Sequence, residues 1–381
     1  MQYRSIGKTG MSASIIGLGA EHLDNKPYET VETVINTALD HEFNIMDVFM
    51  PGETVRKHIG RALAGRRDKV LIQGHICSTD INEQYDRSRD LPTVKKYFED
   101  LLRFLKTDYI DLGMLFFIDT EKDFSDVFES DILRYAQDLK QQGTIRAIGA
   151  SSHDPVTARR VVETGVVDLL MFSINPAFDM ATANTYVIDY LEKGVFDFEK
   201  KLDHDRAALY RLCEQKGVAI TVMKTLGAGK LLSAEHTPFA RPLTAAQCIH
   251  YALTRPAVVS ALIGCATREE VLDAAAYLDT SDADRDYSAV IQDFQGDFKG
   301  HCYYCNHCLP CPLQIDIAGV HKYLDIALLD QANIPPAIVS QYKALDHHAS
   351  ECTACGSCEE RCPFSVSIVK NMEKTVALFN T

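Results

Sequence analysis

The chain of 381 residues contains no tryptophan and no apolar run long enough to cross a membrane. A membrane helix needs about 18 or more consecutive apolar residues. The first ten residues, MQYRSIGKTG, also lack the apolar stretch of a secretory signal peptide. From these absences we expect a protein that does not enter a membrane and that lies in the cytoplasm.

Basic residues are outnumbered, with 39 Lys and Arg against 53 Asp and Glu, so the net charge is −14. Sequence-independent nucleic-acid binding needs clustered Lys and Arg, so this charge argues against a nucleic-acid partner. The apolar fraction of 46% is ordinary for a globular protein that buries a core. The length predicts one large and one smaller domain.

Cysteine is abundant, and eight of the twelve cysteines lie in two short runs. The first run extends from Cys302 to Cys311 and the second from Cys352 to Cys362, and a proline follows each. Two-residue gaps let the first three thiolates of a run bind three irons of one [4Fe–4S] cluster. The fourth cysteine, before the proline, starts a new segment and is predicted to bind the other cluster.

This pattern assigns four thiolates to each of two [4Fe–4S] clusters. The assigned ligands are Cys302, Cys305, Cys308 and Cys362 for one cluster, and Cys311, Cys352, Cys355 and Cys358 for the other. Two zinc sites are the alternative, although zinc ribbons usually separate two C-x-x-C pairs more widely. With every iron ligated, electron relay is the expected role. The other cysteines are expected to be small buried hydrophobes: Cys77, Cys213, Cys248 and Cys265.

Short apolar runs alternate with amphipathic segments as far as residue 275, which predicts a (β/α)8 TIM barrel over residues 1–290. An open, doubly wound sheet is the alternative. Residues 291–381 are predicted to form a small α-helical ferredoxin-like domain, with helices at 317–329 and 336–347. Two long segments, 78–91 and 176–205, are expected to be loops that shape the site. The predicted strands are 14–18, 45–47, 70–73, 109–115, 147–149, 169–173, 218–222 and 261–264.

Residues 1–280 resemble the aldo–keto reductase family, in a branch that carries a fused ferredoxin module. Each motif is weak alone, but their order and spacing together are specific. The motifs are YRSIGKTG at 3–10, NIMD at 44–47, TDYIDL at 107–112, GTIRAIGAS at 143–151, VMKTLGAG at 222–229 and IGC at 263–265.

The resemblance implies a catalytic tetrad of Asp, Tyr, Lys and His, in which Tyr protonates a carbonyl that receives hydride from NADPH. Only the Asp remains, as Asp47; the nearest aromatic residue after it is Phe49, which has no proton to donate. His75 stands at the Lys position and Phe116 at the His position. His75, oriented by Asp47, is a candidate acid or base near neutral pH. The alternative is a structural role for both residues.

The resemblance also implies residues that would hold NADP(H). Near the nicotinamide, Met171 and Ile174 replace the expected Gln and stacking aromatic. Backbone N–H groups of a glycine loop could wrap a pyrophosphate, and a helix start could take a 2′-phosphate; the alternative is that the glycines only make turns. Flavin is neither indicated nor excluded. The candidate cofactor residues are Ser151, Ser152, Asn175, Lys224, Gly227, Gly229, Lys230, Gly264, Thr267 and Arg268.

These observations predict an iron–sulfur oxidoreductase that passes electrons between an external carrier, such as ferredoxin or flavodoxin, and a small molecule in the barrel mouth. Simple hydride transfer moves two electrons directly and needs no cluster. The hypothesis expects one cluster near the carboxyl-terminal face of the barrel. Two alternatives remain, an NADPH-dependent carbonyl reductase with His75 as acid and a catalytically inactive subunit that carries electrons or binds a partner.

Overall fold

The computed structural model describes residues 1–81, 84–180, 203–292, 300, 302 and 304–380. Within these residues, eight parallel strands close into a barrel in the order β3-β4-β5-β8-β9-β10-β11-β12. The TIM barrel is confirmed, and each predicted strand overlaps an observed one. The strands are β1 (Tyr3–Ser5), β2 (Ser12–Ser14), β3 (Ile16–Gly19), β4 (Ile45–Val48), β5 (Leu71–Ile76), β6 (Ser78–Ile81), β7 (Gln84–Arg87), β8 (Ile110–Leu115), β9 (Ile145–Ser152), β10 (Leu169–Ser173), β11 (Ala219–Met223) and β12 (Val258–Gly264).

The barrel strands are buried on both faces, because helices surround them and side chains fill the interior. Every residue of β8 and of β10 is buried. Small residues allow neighbouring layers to interlock, as at Gly113, where an added Cβ would lie 2.7 Å from the Cδ1 atom of Ile145. Continuous apolar runs therefore identified these strands in the sequence.

The helices of the barrel follow the carboxyl ends of the strands, and most begin with a side-chain cap. Asp90, Asp154 and Thr244 each accept a hydrogen bond from a backbone N–H in the first turn of a helix, which satisfies donors that the helix itself cannot. Short 3₁₀ turns lie at Ala20–Leu23, Arg67–Lys69, Lys230–Leu232 and Ala276–Asp279. The helices are α1 (Tyr28–Asp40), α2 (Glu53–Ala62), α3 (Leu91–Leu105), α4 (Glu121–Phe128), α5 (Asp131–Gln141), α6 (Pro155–Glu163), α7 (Pro176–Asp179), α8 (His204–Lys216), α9 (Ala245–Leu253) and α10 (Arg268–Ala275).

The segment 78–91, which we expected to be a loop, instead contains the antiparallel hairpin β6–β7 on the carboxyl side of the barrel. Tyr97 on α3 fixes it by donating to the carbonyl of Asp80 over 2.5 Å. Of the other expected loop, 176–205, the first residues form the short helix α7. Residues 181–202 lie outside the described part of the chain.

The carboxy-terminal module consists of short helices around the two cysteine runs, and its predicted helices are confirmed. The predicted boundary between residues 290 and 291 falls within a short helix beside residues that the structure does not describe, so it stays a prediction. A 3₁₀ turn lies at Ala349–Glu351. Two short helices, α11 (Asp282–Arg285) and α12 (Ser288–Gln292), lead from the barrel to the module, whose helices are α13 (Ile317–Ala327), α14 (Pro336–Lys343), α15 (Ser357–Arg361) and α16 (Ile368–Phe379).

The module packs against the amino ends of the barrel strands. Helices α13 and α14 contact α8, and Lys322 Nζ lies 3.4 Å from Glu214 Oε2 just before β11. Arg255, just before β12, places its guanidinium 5.2 Å from the ring centre of Tyr304. Among the described residues we find no helix with the length and apolar character needed to span a bilayer.

This docking contradicts the expectation that a cluster lies near the carboxyl-terminal face. Asp47 and His75 belong to the carboxyl halves of β4 and β5, at the other end of the barrel. Because a strand of five or six residues spans about 17–20 Å, much of the length of the barrel separates the module from the Asp47–His75 pair. The position of the module depends on interface side chains that no periodicity in the sequence reveals.

Candidate functional site

The structure brings the eight clustered cysteines together in two groups, and each group lines its own small cavity. The groups combine residues from both runs in the crossed arrangement inferred from the sequence. The first cavity is lined by Cys302, Cys305, Cys308 and Cys362, and the second by Cys311, Cys352, Cys355 and Cys358. We call them the first and the second cluster site.

Left-handed backbone turns and one arginine arrange these loops. Tyr304 and Asn306 have φ values of 56° and 64°, and Ala354 has a φ value of 54°, which reverses the chain between successive cysteines. Arg361 Nη2 donates to the carbonyls of Cys308 and Pro310, each over 2.7 Å. The second run is thereby tied to the first.

The donor set fits two [4Fe–4S] clusters better than two zinc ions. Zinc ribbons usually hold their ion with two well-separated C-x-x-C pairs, whereas here three closely spaced thiols of one run and one thiol of the other line each cavity. Four thiols around an apolar cavity suit a larger cluster that carries its own sulfide. Apolar walls such as Phe364 at the first site and Met372 at the second complete the lining.

The two sites differ in their access to solvent. Cys305 and Cys308 of the first site are buried beneath the barrel, whereas Cys355 of the second site is exposed. The four remaining cysteines are all buried, as we expected. Burial raises the pKa of the Cys77 thiol to about 11, so that it stays protonated and unreactive at neutral pH.

In the barrel mouth, by which we mean the carboxyl ends of the barrel strands and the loops after them, Asp47 and His75 form a buried pair. His75 Nε2 lies 2.7 Å from Asp47 Oδ1, and Gln73 Nε2 donates to the same oxygen over 3.0 Å. Both members of the pair are only 2% exposed. His75 Nδ1 is buried without a hydrogen-bond partner among the described residues.

Aromatic rings surround His75 at the positions where the resemblance led us to expect Tyr and His. The ring centres of Phe116 and Phe49 lie 5.1 Å and 6.1 Å from that of His75, and the two phenylalanines stack 5.9 Å apart. Tyr85, on β7, lies 5.4 Å from Phe49. The imidazole is therefore oriented by Asp47 and enclosed by apolar rings.

A second Asp–His pair lies in the mouth and was missed in the sequence. His153 Nδ1 lies 2.9 Å from Asp119 Oδ2, and the His153 backbone N–H donates to Asp119 Oδ1 over 2.7 Å. The ring of Phe117 lies 5.1 Å from that of His153. The missed signal is that Asp119 and His153 follow consecutive barrel strands, β8 and β9.

The polar residues expected near a nicotinamide are already engaged within the protein. Ser151 Oγ accepts from the Phe117 backbone N–H over 2.9 Å. Asn175 caps α7, because its Oδ1 atom accepts from the Phe178 backbone N–H. Asn175 Nδ2 donates to the Lys224 carbonyl over 2.9 Å. Ser152 Oγ bonds to the carboxylate of Asp119. These side chains hold the mouth in shape, and a cofactor would have to compete for them.

The glycine loop after β11 does not present free N–H groups as we expected. The backbone N–H groups of Gly227, Gly229 and Lys230 each donate to carbonyls of the same turn, and both glycines have positive φ. The alternative, that the glycines make turns, fits this geometry. The Lys224 residue is half-buried, and burial lowers the pKa of its amine, opposed by the charges of Glu21 and Asp119.

The start of α10, expected to take a 2′-phosphate, already carries a carboxylate. Glu270 Oε2 accepts from the backbone N–H groups of Ala266 and Thr267 over 2.5 Å and 3.2 Å, and Thr267 Oγ1 caps the helix. Arg268 is exposed there. Gly264 packs against His22, because an added Cβ would lie 2.4 Å from its Cδ2 atom.

Residues 15–246, more than half of the chain, match the model of the Aldo/keto reductase family. The chain belongs to this family. Residues 301–367 match the model of a 4Fe-4S dicluster domain. This aldo/keto reductase family member is therefore an oxidoreductase with a carboxy-terminal iron–sulfur domain.

Among relatives, Aldo-keto reductase YhdN of Bacillus subtilis is 30% identical over 165 residues, which cover 40% of this chain and 47% of that protein. The match thus spans about half the length of YhdN. The B. subtilis oxidoreductase YqkF is 23% identical over 284 residues, 71% of this chain and 89% of that protein.

Solved structures share the fold. Aldo-keto reductase AKR11C1 from Bacillus halodurans in its holo form superposes with a TM-score of 0.59 at 20% identity, covering 77% of this chain and 96% of that one. An aldo/keto reductase from Klebsiella pneumoniae, in complex with NADP and acetate, has a TM-score of 0.53 at 18% identity, covering 74% and 91%. At such identities the likeness concerns the barrel fold alone.

Proposed function

We propose that this family member passes single electrons through two [4Fe–4S] clusters, between an external carrier such as ferredoxin or flavodoxin and a ligand bound by the barrel domain. The observation that carries the proposal is the convergence of eight cysteines on two neighbouring sites. Clusters held by four thiolates each supply one-electron chemistry.

The different exposure of the two cluster sites supports different roles for them in electron exchange. Cys355 at the second site is exposed, so a carrier protein can approach there. The first site is enclosed, with Cys305 buried and Asn306 in its wall. The second site therefore suits exchange with the carrier, and the first suits exchange with a ligand at the barrel.

The Asp47–His75 pair of the barrel mouth offers little proton chemistry to such a ligand. Phe49 and Phe116 have no titratable proton, and they enclose His75. The mouth is also remote from the module, which contacts α8 and the segment before β12. We therefore propose that the ligand that exchanges electrons binds on the amino side of the barrel.

A second candidate is NADPH-dependent carbonyl reduction with His75 as the acid. It is favoured by the 2.7 Å contact between His75 and Asp47 at the position where the resemblance places the tetrad. The K. pneumoniae relative that binds NADP makes this dinucleotide the first to test. The buried Nδ1 atom would need Phe49 and Phe116 to move before it could reach a carbonyl.

The test uses full-length protein reconstituted anaerobically. Reduced ferredoxin and reduced flavodoxin are offered in turn while cluster absorbance is followed, and NADPH oxidation with a panel of aldehydes is measured in parallel. We expect both carriers to reduce the clusters, and no aldehyde-dependent NADPH oxidation. A Cys355→Ser, Cys358→Ser variant should lose reduction by the carriers.

Two outcomes would contradict the proposal. Carbonyl reduction by NADPH that persists unchanged in the cysteine variant would support the second candidate. Clusters that neither carrier reduces, together with no carbonyl reduction, would favour a subunit that only binds a partner.

A further inference from the structure

A cavity of about 650 Å³ lies between the amino end of the barrel and the iron–sulfur module. Arg4, Lys8 and Tyr277 line it from the barrel, and Tyr304 and Tyr323 line it from the module. Its volume is within the range of small-molecule sites, which often lie at domain interfaces. It is the open space that the amino-end docking creates, and neither family feature described above accounts for it.

The cavity adjoins the first cluster site. Asn306 and Ala318 line both the interdomain cavity and the cavity formed by the first four cysteines. Tyr304, one residue before Cys305, faces the interdomain cavity as well. A molecule bound there would be separated from the first cluster site by a single layer of residues.

The charges around the cavity favour an anion. Arg4 Nη1 donates to the carbonyls of Leu253 and Val258 over 2.8 Å and 2.7 Å, and these are the hydrogen bonds that its guanidinium makes within the described residues. The backbone thus holds the guanidinium in place with donors to spare. Lys8 is exposed at the rim and has no ion pair among the described residues.

The acidic residues of the lining are already engaged. Glu214 pairs with Lys322 at 3.4 Å and accepts the backbone N–H of Ala257. Asp316 caps α13 by accepting from the Gly319 backbone N–H over 2.9 Å. The lining thus holds three cations, Arg4, Lys8 and Lys322, against the two carboxylates of Glu214 and Asp316, so its net charge is positive.

The walls favour a flat, aromatic body. Tyr277, Tyr304 and Tyr323 line the cavity from both domains, and Leu253 and Val259 are apolar residues of the same lining. Tyrosine combines apolar area with a polar tip, which suits a planar ring system that has polar edges. A purely apolar molecule would leave the remaining guanidinium donors of Arg4 unused, and a small inorganic anion would leave the aromatic walls uncovered.

We infer that this interdomain cavity binds a planar aromatic molecule that carries a phosphate or carboxylate group, with Arg4 and Lys8 holding the anion. The inference rests on the proposed function, because it identifies the class of ligand that the first cluster site would serve. It does not depend on the barrel mouth.

The test measures binding to full-length, anaerobically reconstituted protein by titration calorimetry. Flavin mononucleotide is the probe, and riboflavin, which lacks only the phosphate, is its matched control. We expect flavin mononucleotide to bind with a stoichiometry of about one, and riboflavin to bind at least tenfold more weakly, because the anion contacts are lost.

Variants locate the binding site. Lys8→Gln and Arg4→Gln should each weaken binding of flavin mononucleotide at least fivefold. Arg4 also supports the fold, so Ala337→Trp is added, which places a large ring into the cavity from an exposed position. It should abolish binding. Lys26→Gln, at an exposed lysine outside the cavity lining, is the control and should bind like the unchanged protein.

The inference is overturned if flavin mononucleotide does not bind, if riboflavin binds equally well, or if Ala337→Trp and Lys8→Gln leave binding unchanged. Reduction of the clusters by carrier proteins is measured on the same samples. If the carriers reduce the clusters but flavin mononucleotide does not bind, this inference alone is refuted. If flavin mononucleotide binds but no carrier reduces the clusters, the proposed function alone is refuted.

Discussion

His75 and Asp47 form a buried contact in the barrel mouth, and the rings around them decide what the pair can do. A histidine oriented by a carboxylate is a common acid or base, yet here His75 is buried and the rings of Phe49 and Phe116 pack around it. Residue identity alone indicated the pair and the missing tyrosine. It could not indicate that His75 is enclosed, because this depends on the directions of the His75, Phe49 and Phe116 side chains, which lie at the ends of three different strands.

The Asp47→Ala variant tests whether this pair is structural. The change leaves the buried Nε2 atom of His75 and the Gln73 amide without their acceptor, so we expect the free energy of unfolding to fall by about 1–3 kcal/mol. Urea unfolding measures this loss. Cluster reduction by carriers should stay within twofold of the unchanged protein; a larger decrease would place the pair on the electron route.

The Glu270→Gln variant tests whether the start of α10 is blocked by its own carboxylate. Glu270 bonds to two backbone N–H groups there, so its charge opposes an incoming phosphate. We expect the variant to bind NADPH about fivefold more tightly, since removing one charge near a helix end is worth about 1 kcal/mol. NADPH fluorescence reports binding, and Glu99→Gln, at an exposed glutamate within α3, is the matched control. Equal affinities in all three proteins would contradict the blocked site.

His250 provides a pH-dependent contribution to stability. Its pKa is lowered to about 4, first by burial and then by Arg285, Arg255 and Arg4, with Asp286 opposing. The unfolded chain therefore binds more protons between about pH 6.5 and 4, so stability is lost as the pH falls through this window.

We expect the unchanged protein to lose about 2 kcal/mol more than the His250→Asn variant between pH 8 and pH 5. Denaturant unfolding at the two pH values measures the difference. His236→Asn, at an exposed histidine, should lose stability like the unchanged protein. The same loss in all three proteins would show that His250 is not responsible.

Among the helices and strands, the sequence predicted the repeated strands and helices of the barrel. It did not predict the hairpin strand β7 or the hydrogen bonding of the glycine turn. Strands such as β8 and β10 were predictable because both faces are buried, which leaves continuous apolar runs. Strand β7 was not, since Gln-Tyr-Asp-Arg carries neither an apolar run nor alternation. The sequence also could not show that the N–H groups of Gly227 and Gly229 donate within their own turn, because the same residues would suit a phosphate-binding loop.

The crossing of the two cysteine runs makes a prediction about pairs of variants. Cys311 belongs to the first run but lines the second cavity with Cys358. Cys311→Ala and Cys358→Ala should therefore lose the same cluster and leave the same residual electron paramagnetic resonance spectrum. Cys305→Ala and Cys362→Ala should share a different one.

Cys213→Ala, at a buried cysteine outside the runs, should keep the full iron content. If Cys311→Ala instead matched Cys305→Ala, each run would hold its own cluster and the crossed assignment would be wrong. Iron analysis accompanies each spectrum, so that loss of one cluster is distinguished from loss of both.

In the whole molecule, the position of the module determines which part of the barrel lies beside the cluster sites. The family fold and the dicluster domain could both be predicted from sequence motifs, but their docking could not. It depends on single contacts such as Lys322 with Glu214 and Arg255 with Tyr304. This docking moves the expected exchange of electrons away from the mouth, and it creates the interdomain cavity beside the first cluster site.

Electron transfer through two [4Fe–4S] clusters is tested most directly by the metal and sulfide content of the full-length protein, purified without oxygen. Two clusters require about eight irons and about eight acid-labile sulfides per chain, with negligible zinc. We expect this composition, with loss of visible absorbance on reduction by dithionite. Protein that contains zinc and no sulfide would contradict the electron-transfer account.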